Sequence, residues 1–427
     1  MAKLLNLAAG AALAALATTG SALAETVTLE VVHAWGGHKR FHEPIAEAFM
    51  KQHPEIEIKY RAPMKSYTDG HQTILRQALS DDLPDIWYSP YNTLGELVAA
   101  LEQRGQITDL EPMMKAEGDA WVEANYAPNV LTLGQVDGRQ WGVPFNASTP
   151  IVYYNLDLIE EAGGDLNKLP GDWDGLITLG AKVSKLGDDV DGLAYSVSEW
   201  GDDWLWQALV FNFGGKLMDD QKTRVTFGDD AGVQAVKLVD RIARETGMPL
   251  LTEDQTIQQF SAGKLGIFIG STAEVRVMGE LVGDKFAWKT GGYPIADQAK
   301  GGVPTGGNVA VILSKDEAKK KAAWEFVKFA TGPEGQKIAV LGSGYMPTNL
   351  QTAGPDYLGG HYADNPDWTT SMKQWPVAKA WFGYPGNMGT KIWREQQAIL
   401  ASIIRGDTTP EAGLDKLVST TEALVRE

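Results

Sequence analysis

Hydrophobic and polar positions along the first hundred residues predict the order strand, helix, strand, helix, strand. Residues 26–33 (TVTLEVVH) alternate with the period of a strand, and residues 55–61 (EIEIKYR) repeat that pattern. Residues 42–52 and 67–79 carry the apolar period of amphipathic helices. Residues 84–89 (PDIWYS) supply a third strand. This order is typical of an α/β sheet with parallel strand pairs.

Later segments continue the mixture of helices and strands. Residues 231–246 have a clear amphipathic pattern, and the unbroken apolar run at residues 265–270 (LGIFIG) predicts a buried strand. Ser314 and Glu317 have the spacing of a capping box, which predicts a helix that begins at Ser314. The pair Thr409-Pro410 predicts the start of the last helix, with the threonine as its N-cap.

Prolines interrupt three stretches of the chain, near residues 144–150, 290–296 and 345–347. Because proline cannot donate to a strand ladder, each stretch is predicted to bend and to pass between two lobes. A length of 427 residues also exceeds what one hydrophobic core usually covers. Two lobes joined by three crossings leave a cleft that closes around a ligand by hinge motion. The predicted lobes are an N-terminal lobe of residues 25–144 and 296–344 and a C-terminal lobe of residues 145–295 and 345–427.

The first 24 residues have the order of features found in a secretory signal peptide. Lys3 gives a basic start, residues 4–17 are almost wholly apolar, and residues 22–24 (ALA) form a small-x-small cleavage site. A buried N-terminal helix is the alternative. The pattern predicts a signal peptide over residues 1–24 and a mature protein that works outside the cytoplasm.

Composition narrows the classes of function further. The formal net charge of −17 disfavours nucleic acid and anionic lipid as partners. The chain contains no cysteine, which excludes disulfides, thiolate metal sites and cysteine nucleophiles. There are 14 tryptophans and 13 tyrosines. Most are expected in the core, whereas those beside glycine in predicted loops are expected to stack on a ligand.

Motifs for catalysis or metal binding are weak in this chain. No GxGxxG follows the first strand and no GxxxxGK[ST] occurs, so no nucleotide site is predicted. His38 and His42 are four residues apart, but zinc requires further ligands, so we interpret them as the surface start of a helix and predict no metal site. The pairs Asp202-Asp203 and Asp229-Asp230 leave a secreted glycosidase as a remote alternative.

A short basic segment, His38-Lys39-Arg40, follows two glycines after the first strand. Ligands of α/β lobes bind beyond the carboxyl ends of the strands, so this segment is a candidate for ligand contact. Lys39 is expected to be solvated, whereas the Arg40 guanidinium offers a bidentate fork to an anionic ligand.

Several motifs occur in an order that resembles one family of transport proteins. They are residues 141–146 (WGVPFN), 153–155 (YYN), 260–264 (FSAGK), 322–326 (AAWEF), 344–347 (GYMP) and the ending at 406–414. In this order they resemble family 1 of the extracytoplasmic solute-binding proteins of ABC transporters, in its carbohydrate cluster. The resemblance extends over nearly the whole chain after the first 24 residues.

Within that family the chain resembles glycerol-3-phosphate-binding and maltose-type binding proteins. Residues 145–150 (FNASTP) are similar to the Phe-Asn-Ser-Ser-Thr-Pro of the former. Counted back from Gly406, however, the position of their phosphate-binding arginine falls on Trp393, where maltose-type proteins place a sugar-stacking tryptophan. Arg394 is adjacent, so a small alignment shift restores the arginine. The resemblance therefore favours a neutral sugar or polyol and keeps glycerol 3-phosphate, a glycerophosphodiester or another anionic sugar derivative as the alternative.

The resemblance implies a two-lobed type II periplasmic-binding-protein fold and a periplasmic component of an ABC importer that delivers its ligand to permease subunits in the inner membrane. It further implies a monomer without enzymatic activity, cofactor or metal. Ligand contacts are expected in loops from both lobes. The candidate residues are Trp35, Gly36, His38, Arg40, Tyr67, Tyr91, Asn92, Asn146, Ser148, Thr149, Trp200, Trp204, Ser271, Thr272, Gly306, Gly307, Asn308, Tyr345, Trp393 and Arg394.

Overall fold

The computed structural model of the protein describes residues 26–427. The predicted signal peptide lies outside the described residues. Twelve strands are described: β1 (Val27–Val32), β2 (Ile56–Tyr60), β3 (Ile86–Pro90), β4 (Gln135–Val136), β5 (Arg139–Gln140), β6 (Gly142–Ser148), β7 (Pro150–Asn155), β8 (Asp191–Tyr195), β9 (Leu265–Ser271), β10 (Trp288–Gly292), β11 (Val303–Ile312) and β12 (Ala378–Ala380).

Helices alternate with these strands. The α-helices within residues 26–427 are α1 (Lys39–Gln52), α2 (Tyr67–Ser80), α3 (Leu94–Leu101), α4 (Glu111–Glu117), α5 (Asp119–Asn125), α6 (Pro128–Leu131), α7 (Leu156–Glu161), α8 (Trp173–Val183), α9 (Trp204–Asn212), α10 (Asp230–Thr246), α11 (Glu253–Ser261), α12 (Val275–Val282), α13 (Glu317–Thr331), α14 (Pro333–Leu341), α15 (Gly359–Asp364), α16 (Gly389–Ile404) and α17 (Pro410–Val425). In the described part of the chain, no helix is both long enough and apolar enough to cross a membrane.

Two sheets form the framework of two lobes. The larger sheet has the strand order β12-β11-β3-β1-β2, and β6 also pairs with β11. In it β1 runs parallel to β2 and β3, whereas β11 is antiparallel to β3 and β6. The smaller sheet has the order β10-β7-β9-β8, with β8 parallel to β9. The predicted α/β architecture with parallel strand pairs is confirmed.

Helices pack on both faces of the larger sheet because successive strand residues point to opposite sides. Val31 belongs to a cluster with Phe41, Ile45 and Phe49, which recur every four residues on α1 and are fully buried. Val32, the next residue of β1, packs on the other face with residues of α2 and α3. This two-sided burial fixes the carboxyl end of β1, from which the chain enters the space between the lobes.

Strand pairing describes the chain near two of the predicted crossings. β6 remains paired with β11 through Ser148, so Thr149 follows its last paired residue and lies inside the predicted stretch 144–150. The first residues of β11 pair with β12, and from Gly306 onward the strand pairs with β6. The lobe boundaries at 144/145 and 295/296 stay a prediction.

The chain beside the predicted third crossing contacts both lobes, since the Arg276 amide of α12 donates to the Ser343 carbonyl at 3.0 Å. The Met346 amide still donates to Ala147 of β6, and the Leu350 amide donates to Asn125 of α5. Contact with the smaller sheet begins only near Asp367, whose carboxylate accepts from the Thr290 amide of β10 at 2.7 Å. A proline-marked turn gives a change of direction but does not show which sheet the following residues join.

Two predictions about helix starts were wrong. Asp316, not Ser314, caps α13, since its carboxylate accepts from the Lys319 amide at 2.9 Å. Helix α1 begins at Lys39, three residues before the predicted start. This earlier start places His42 on the inner face of the helix, where it is fully buried instead of lying at the surface.

Candidate functional site

A cavity of about 260 Å³ lies between the two lobes. Its walls are segments that follow the carboxyl ends of three strands, β1, β8 and β9, together with the glycines of β11. Ligands of α/β proteins characteristically bind at such strand ends. Both lobes contribute side chains, so the cavity is a candidate binding site whose shape depends on how the lobes meet.

Aromatic rings form much of the cavity wall. The lining rings are Trp35, Phe41, Tyr67, Trp200, Trp204, Tyr345 and Trp381. The Trp200 and Trp204 rings lie 6.0 Å apart between centroids and are tilted by 33°. The Trp204 indole donates to the Pro304 carbonyl at 3.2 Å, which fixes its ring beside β11. These rings present flat apolar surfaces of the kind that stack on the C–H faces of sugars.

Trp35 has a backbone conformation that bulky residues rarely adopt. Its φ is 64°, in the left-handed region, and its amide donates to the Met64 carbonyl at 2.8 Å. The ring lies edge-on to Tyr67, with centroids 5.9 Å apart. It also reaches the opposite lobe, since a Cβ placed on Gly201 would lie 3.6 Å from the tip of the indole. Such strain is typical of residues held in place for binding.

Trp381 is held in the cavity wall by a buried carboxylate. Its indole donates to Asp203 at 3.0 Å, and the same carboxylate accepts from the Gln207 side-chain amide at 2.8 Å. Burial raises the pKa of Asp203 to about 6, and these two hydrogen bonds oppose the rise. Asp203 is therefore a positioning residue for Trp381.

Four carboxylates line the C-terminal-lobe side of the cavity: Asp202, Glu253, Asp254 and Glu274. Burial, followed by the charge of Asp203, raises the pKa of Asp202 to about 8. Burial raises the pKa of Glu274 to about 7, and the nearby Arg40 opposes this rise. Burial and the charges of Glu274 and Asp202 raise the pKa of Glu253 well above its usual range. Asp202 is buried, whereas Glu253 and Glu274 are partly exposed and Asp254 is exposed, so this wall is acidic from its base to its opening.

Each of these carboxylates lies at the beginning of a helix. Glu253 is the first residue of α11, Glu274 immediately precedes α12, and Asp202 lies two residues before α9. The Asp202 carboxylate accepts from the Trp204 amide at 3.2 Å. Helix N-termini carry partial positive charge, which favours carboxylates there. Carboxylates therefore occupy positions where an anionic ligand would otherwise find helix N–H groups.

The N-terminal-lobe side of the cavity carries two basic residues. Arg40 forms an ion pair with Glu280 of α12 at 3.4 Å, so it bridges the two lobes at the rim. Burial, then the charges of His33 and Arg40, lowers the pKa of His38 to about 3, which leaves its imidazole neutral. The predicted bidentate fork from Arg40 to an anionic ligand is thus directed to a carboxylate of the protein.

Polar side chains form a network beneath the cavity. The Asn308 amide donates to the Tyr67 hydroxyl at 3.0 Å, and the Asn308 backbone N–H donates to the Asn146 side-chain oxygen at 3.1 Å. The Tyr91 hydroxyl donates to the Asn146 carbonyl at 2.7 Å. The network fixes the Tyr67 hydroxyl at the cavity surface.

The glycines of β11 allow the two lobes to approach closely. A Cβ on Gly306 would lie 2.7 Å from the Ser148 hydroxyl and 3.0 Å from the Trp204 ring. Gly307 has a φ of 123°, and its Cβ would lie 2.1 Å from the Asn146 carbonyl oxygen. Side chains at these positions would displace the cavity wall.

The structure brings eleven of the twenty predicted residues to this cavity. They are Trp35, His38, Arg40, Tyr67, Ser148, Trp200, Trp204, Ser271, Gly306, Gly307 and Tyr345. Four others are buried but do not line it, namely Asn146, Thr149, Thr272 and Asn308. Gly36 is exposed beside the cavity, with open space around it.

The remaining predicted residues lie elsewhere between the lobes. Tyr91 and Asn92 line a second cavity of about 1140 Å³, which we call the outer cavity and which shares Trp381 with the first. Trp393 and Arg394 line a third cavity of about 210 Å³. The Trp393 indole donates to the Trp200 carbonyl at 3.2 Å, so this ring supports the Trp200 loop from behind instead of stacking on a ligand in the main cavity.

Sequence reasoning missed the acidic wall and Trp381. The pair Asp202-Asp203 was interpreted only as a remote indication of a glycosidase. Glu253 follows Thr252, which forms a capping box with Gln255, so a helix start could have been recognised there. Trp381 lies in a stretch without a strong periodic pattern, and nothing in the sequence connects it to Asp203. Among residues 26–427, no group of three or more potential ligands could hold a metal ion.

Comparison with known proteins gives one family match. The model of the bacterial extracellular solute-binding proteins matches residues 35–337 of this chain. A Brucella abortus (strain 2308) protein named only as a binding protein is 24% identical over 428 residues, which cover 98% of this chain and 97% of the relative. The sn-glycerol-3-phosphate-binding periplasmic protein UgpB of Escherichia coli (strain K12) is 22% identical over 335 residues, 74% of each chain.

Solved structures show the same two-lobed fold. UgpB from Mycobacterium tuberculosis, in complex with glycerophosphocholine, superposes with a TM-score of 0.82 at 19% identity, covering 94% of this chain and 99% of that one. Maltose-bound MalE3 of T. maritima superposes with a TM-score of 0.77 at 19% identity, covering 93% and 100%. The two-lobed fold expected from the sequence is confirmed.

Proposed function

The chain belongs to the bacterial extracellular solute-binding proteins, and on that premise we propose that it captures a sugar or a sugar-like polyol in the cavity between its lobes. It is a substrate-binding component of an importer. In this role the protein acts in the periplasm and delivers its ligand to ABC permease subunits in the inner membrane. The binding step itself changes no covalent bond of the ligand.

One observation carries the choice of ligand class: seven rings of Trp, Tyr and Phe and several hydrogen-bonding groups line one small cavity. Ligand sites that recognise sugars combine ring surfaces for the C–H faces with fixed polar groups for the hydroxyls. Here the Trp200 and Trp204 rings supply such surfaces. The lining carboxylates and the Tyr67 hydroxyl supply acceptors and a donor for hydroxyl groups.

The same cavity disfavours an anionic ligand such as glycerol 3-phosphate. Its acidic wall repels phosphate, and the Arg40 guanidinium is already paired with Glu280. The UgpB relatives nevertheless support a second candidate, a glycerophosphodiester with a compensating positive charge. Both neutral sugars and phosphate-containing ligands therefore need to be tested as ligands.

Thermal unfolding in the presence of neutral sugars, polyols and their phosphates tests the proposal. A ligand at about 100 times its Kd should stabilise the protein by ~2.7 kcal/mol. Trp200→Ala should weaken binding by roughly 1–3 kcal/mol, because it removes a large ring from the wall. Trp288→Ala, which removes a ring of β10 outside the cavity, is the matched control.

Two outcomes would contradict this function. Cleavage of an oligosaccharide during incubation would instead support the glycosidase alternative. Equal losses of affinity in Trp200→Ala and Trp288→Ala would show that the ligand binds elsewhere or that both rings act only through the fold.

A further inference from the structure

The acidic wall of the cavity contains carboxylates without a cationic partner. Among the ion pairs formed by residues 26–427, none includes Asp202, Glu253 or Glu274. Asp202 is 9% exposed, and the one hydrogen bond that its carboxylate accepts comes from the backbone of its own loop. Buried carboxylates are normally paired with a cation or neutralised by a proton. In this cavity the protein forms no ion pair with them, although the charge of Arg40 acts on Glu274.

The basic side chains around the cavity do not form ion pairs with these carboxylates. Arg40 contacts Glu280 at the rim, and within the described cavity wall it is the one permanently charged cation. His38 is neutral because of its burial. The helix N-termini beside the carboxylates offer partial charges that are worth much less than an ion. Without a cation beside it, the Asp202 carboxyl group therefore holds a proton near neutral pH, and a bound cation would favour its charged form.

The aromatic rings around the carboxylates point to the same kind of ligand. Trp35, Trp200, Trp204 and Trp381 line the cavity together with the acidic residues. The faces of indole rings attract ammonium groups, and rings combined with carboxylates are a general solution for binding them. A neutral polyol would use the same rings but would leave the carboxylates uncompensated.

We infer that the ligand of this cavity carries a positively charged ammonium group, attached to a sugar or polyol framework. The inference rests on the proposed function, since it concerns the ligand of the same cavity. The ammonium group lies against the C-terminal-lobe wall, near Asp202 and Glu274, with indole faces around it. Both a primary ammonium, as in an amino sugar, and a quaternary ammonium, as in a choline headgroup, have this chemistry.

Matched pairs of probes that differ only in charge test the inference. The first pair is choline and 3,3-dimethylbutan-1-ol, its uncharged carbon isostere. The second pair is D-glucosamine and D-glucose. Binding at millimolar probe concentrations is followed by tryptophan fluorescence and by calorimetry. We expect the cation of at least one pair to bind about tenfold more tightly than its neutral partner. The pair that shows the preference separates a quaternary from a primary ammonium.

Variants separate local charge recognition from the overall field of the protein. Asp202→Asn and Glu274→Gln should each remove most of the preference for the cation while leaving the binding of the neutral partner nearly unchanged. Glu161→Gln removes one negative charge from α7 of the same lobe, at an exposed position outside the cavity, and should keep the preference. Circular dichroism of each variant shows that the fold is retained.

The possible results distinguish this inference from the proposed function. Binding of neutral or phosphorylated sugars without any preference for the cations would overturn the inference and leave the proposed function standing. A preference for the cation that survives in Asp202→Asn and Glu274→Gln would also overturn it. If neither cations nor neutral sugars and polyols bind at millimolar concentrations, both the inference and the proposed function fail.

Discussion

At the scale of single residues, the carboxylate of Asp202 illustrates how a binding site lowers the stability of its own fold. Burial raises its pKa to about 8, so its charged form is less stable in the folded than in the unfolded protein. The resulting loss of stability begins near the unfolded pKa, about 4, and grows as the pH rises toward 8. A bound cation would remove that penalty, whereas the protein without ligand carries it.

Asp202→Asn should therefore stabilise the protein without ligand by roughly 1–3 kcal/mol at pH 8 and by little at pH 4. Urea unfolding at the two pH values measures the change. Asp203→Asn is the matched control, because this neighbour accepts hydrogen bonds from both Trp381 and Gln207 and would lose one of them. An equal gain in both variants would show that the stability effect is not specific to the unpaired carboxylate.

His42 leads to a second prediction at this scale. Its ring is fully buried and stacks on His33, with centroids 4.3 Å apart, and on Phe145 at 5.1 Å. Burial lowers its pKa well below the ordinary value, and the charges of His33 and His38 act in the same direction. The unfolded chain binds the proton more readily, so stability should decrease as the pH falls below about 6.5.

His42→Phe should keep the stacking and remove this titration. The free energy of unfolding of the variant, compared with that of the wild type, should gain about 1.4 kcal/mol per pH unit between pH 6 and pH 5. Carboxylates with raised pKa values give a slope of opposite sign in the same range, but they are common to both proteins and cancel in the difference. His53→Phe, which removes a half-exposed imidazole at the end of α1, is the matched control. Parallel curves for wild type and His42→Phe would contradict the prediction.

At the scale of secondary-structure elements, strand β11 connects the two lobes and forms part of the cavity wall. Its first three residues pair with β12, and its later residues pair with β6 and β3. Glycines lie at the change of partner, where there is no room for a side chain. The same few residues of β11 therefore form part of the cavity wall and connect the two lobes.

Substitutions in β11 should separate these two roles. Gly307→Ala places a Cβ against the Asn146 carbonyl and requires a left-handed backbone, so it should destabilise the protein by about 3 kcal/mol. Gly306→Ala contacts the Ser148 hydroxyl and the Trp204 ring, which are parts of the cavity wall. It should reduce ligand affinity more than stability. Gly36→Ala, in open space beside the cavity, is the control and should change neither, as thermal unfolding and calorimetry would show.

The sequence predicted features that depend on neighbouring residues and missed features that depend on contacts between distant segments. The period of apolar residues in 42–52 and 67–79 predicted α1 and α2, and alternation predicted β1 and β2. Contacts between distant segments leave no such pattern: β11 pairs with β12, and these segments are about seventy residues apart. In the same way, the Trp393 indole donates to the Trp200 carbonyl, and no sequence pattern shows that contact.

At the scale of the whole molecule, contacts between the lobes show how closure is stabilised. Arg40 of α1 and Glu280 of α12 meet across the rim at 3.4 Å, and both side chains are partly exposed. Exposed ion pairs of this kind contribute at most about 1 kcal/mol. The pair therefore adjusts the balance between open and closed forms but does not determine it.

Arg40→Glu should weaken ligand binding by about threefold, because closure would then bring two carboxylates together at the rim. The double variant Arg40→Glu with Glu280→Arg should recover most of the lost affinity. Calorimetric titration measures both effects, and small-angle scattering with and without ligand shows whether the molecule still becomes more compact. Failure of the double variant to recover would mean that Arg40 contacts the ligand itself.

The open space around Gly36 has a practical consequence. The chain contains no cysteine, so Gly36→Cys would create a single thiol, exposed beside the cavity and next to Trp35. A dye attached there would change its surroundings when the lobes close, and its emission would report ligand in real time. The protein could then serve as a reagentless optical sensor, with little risk that labelling at other positions would confuse the signal.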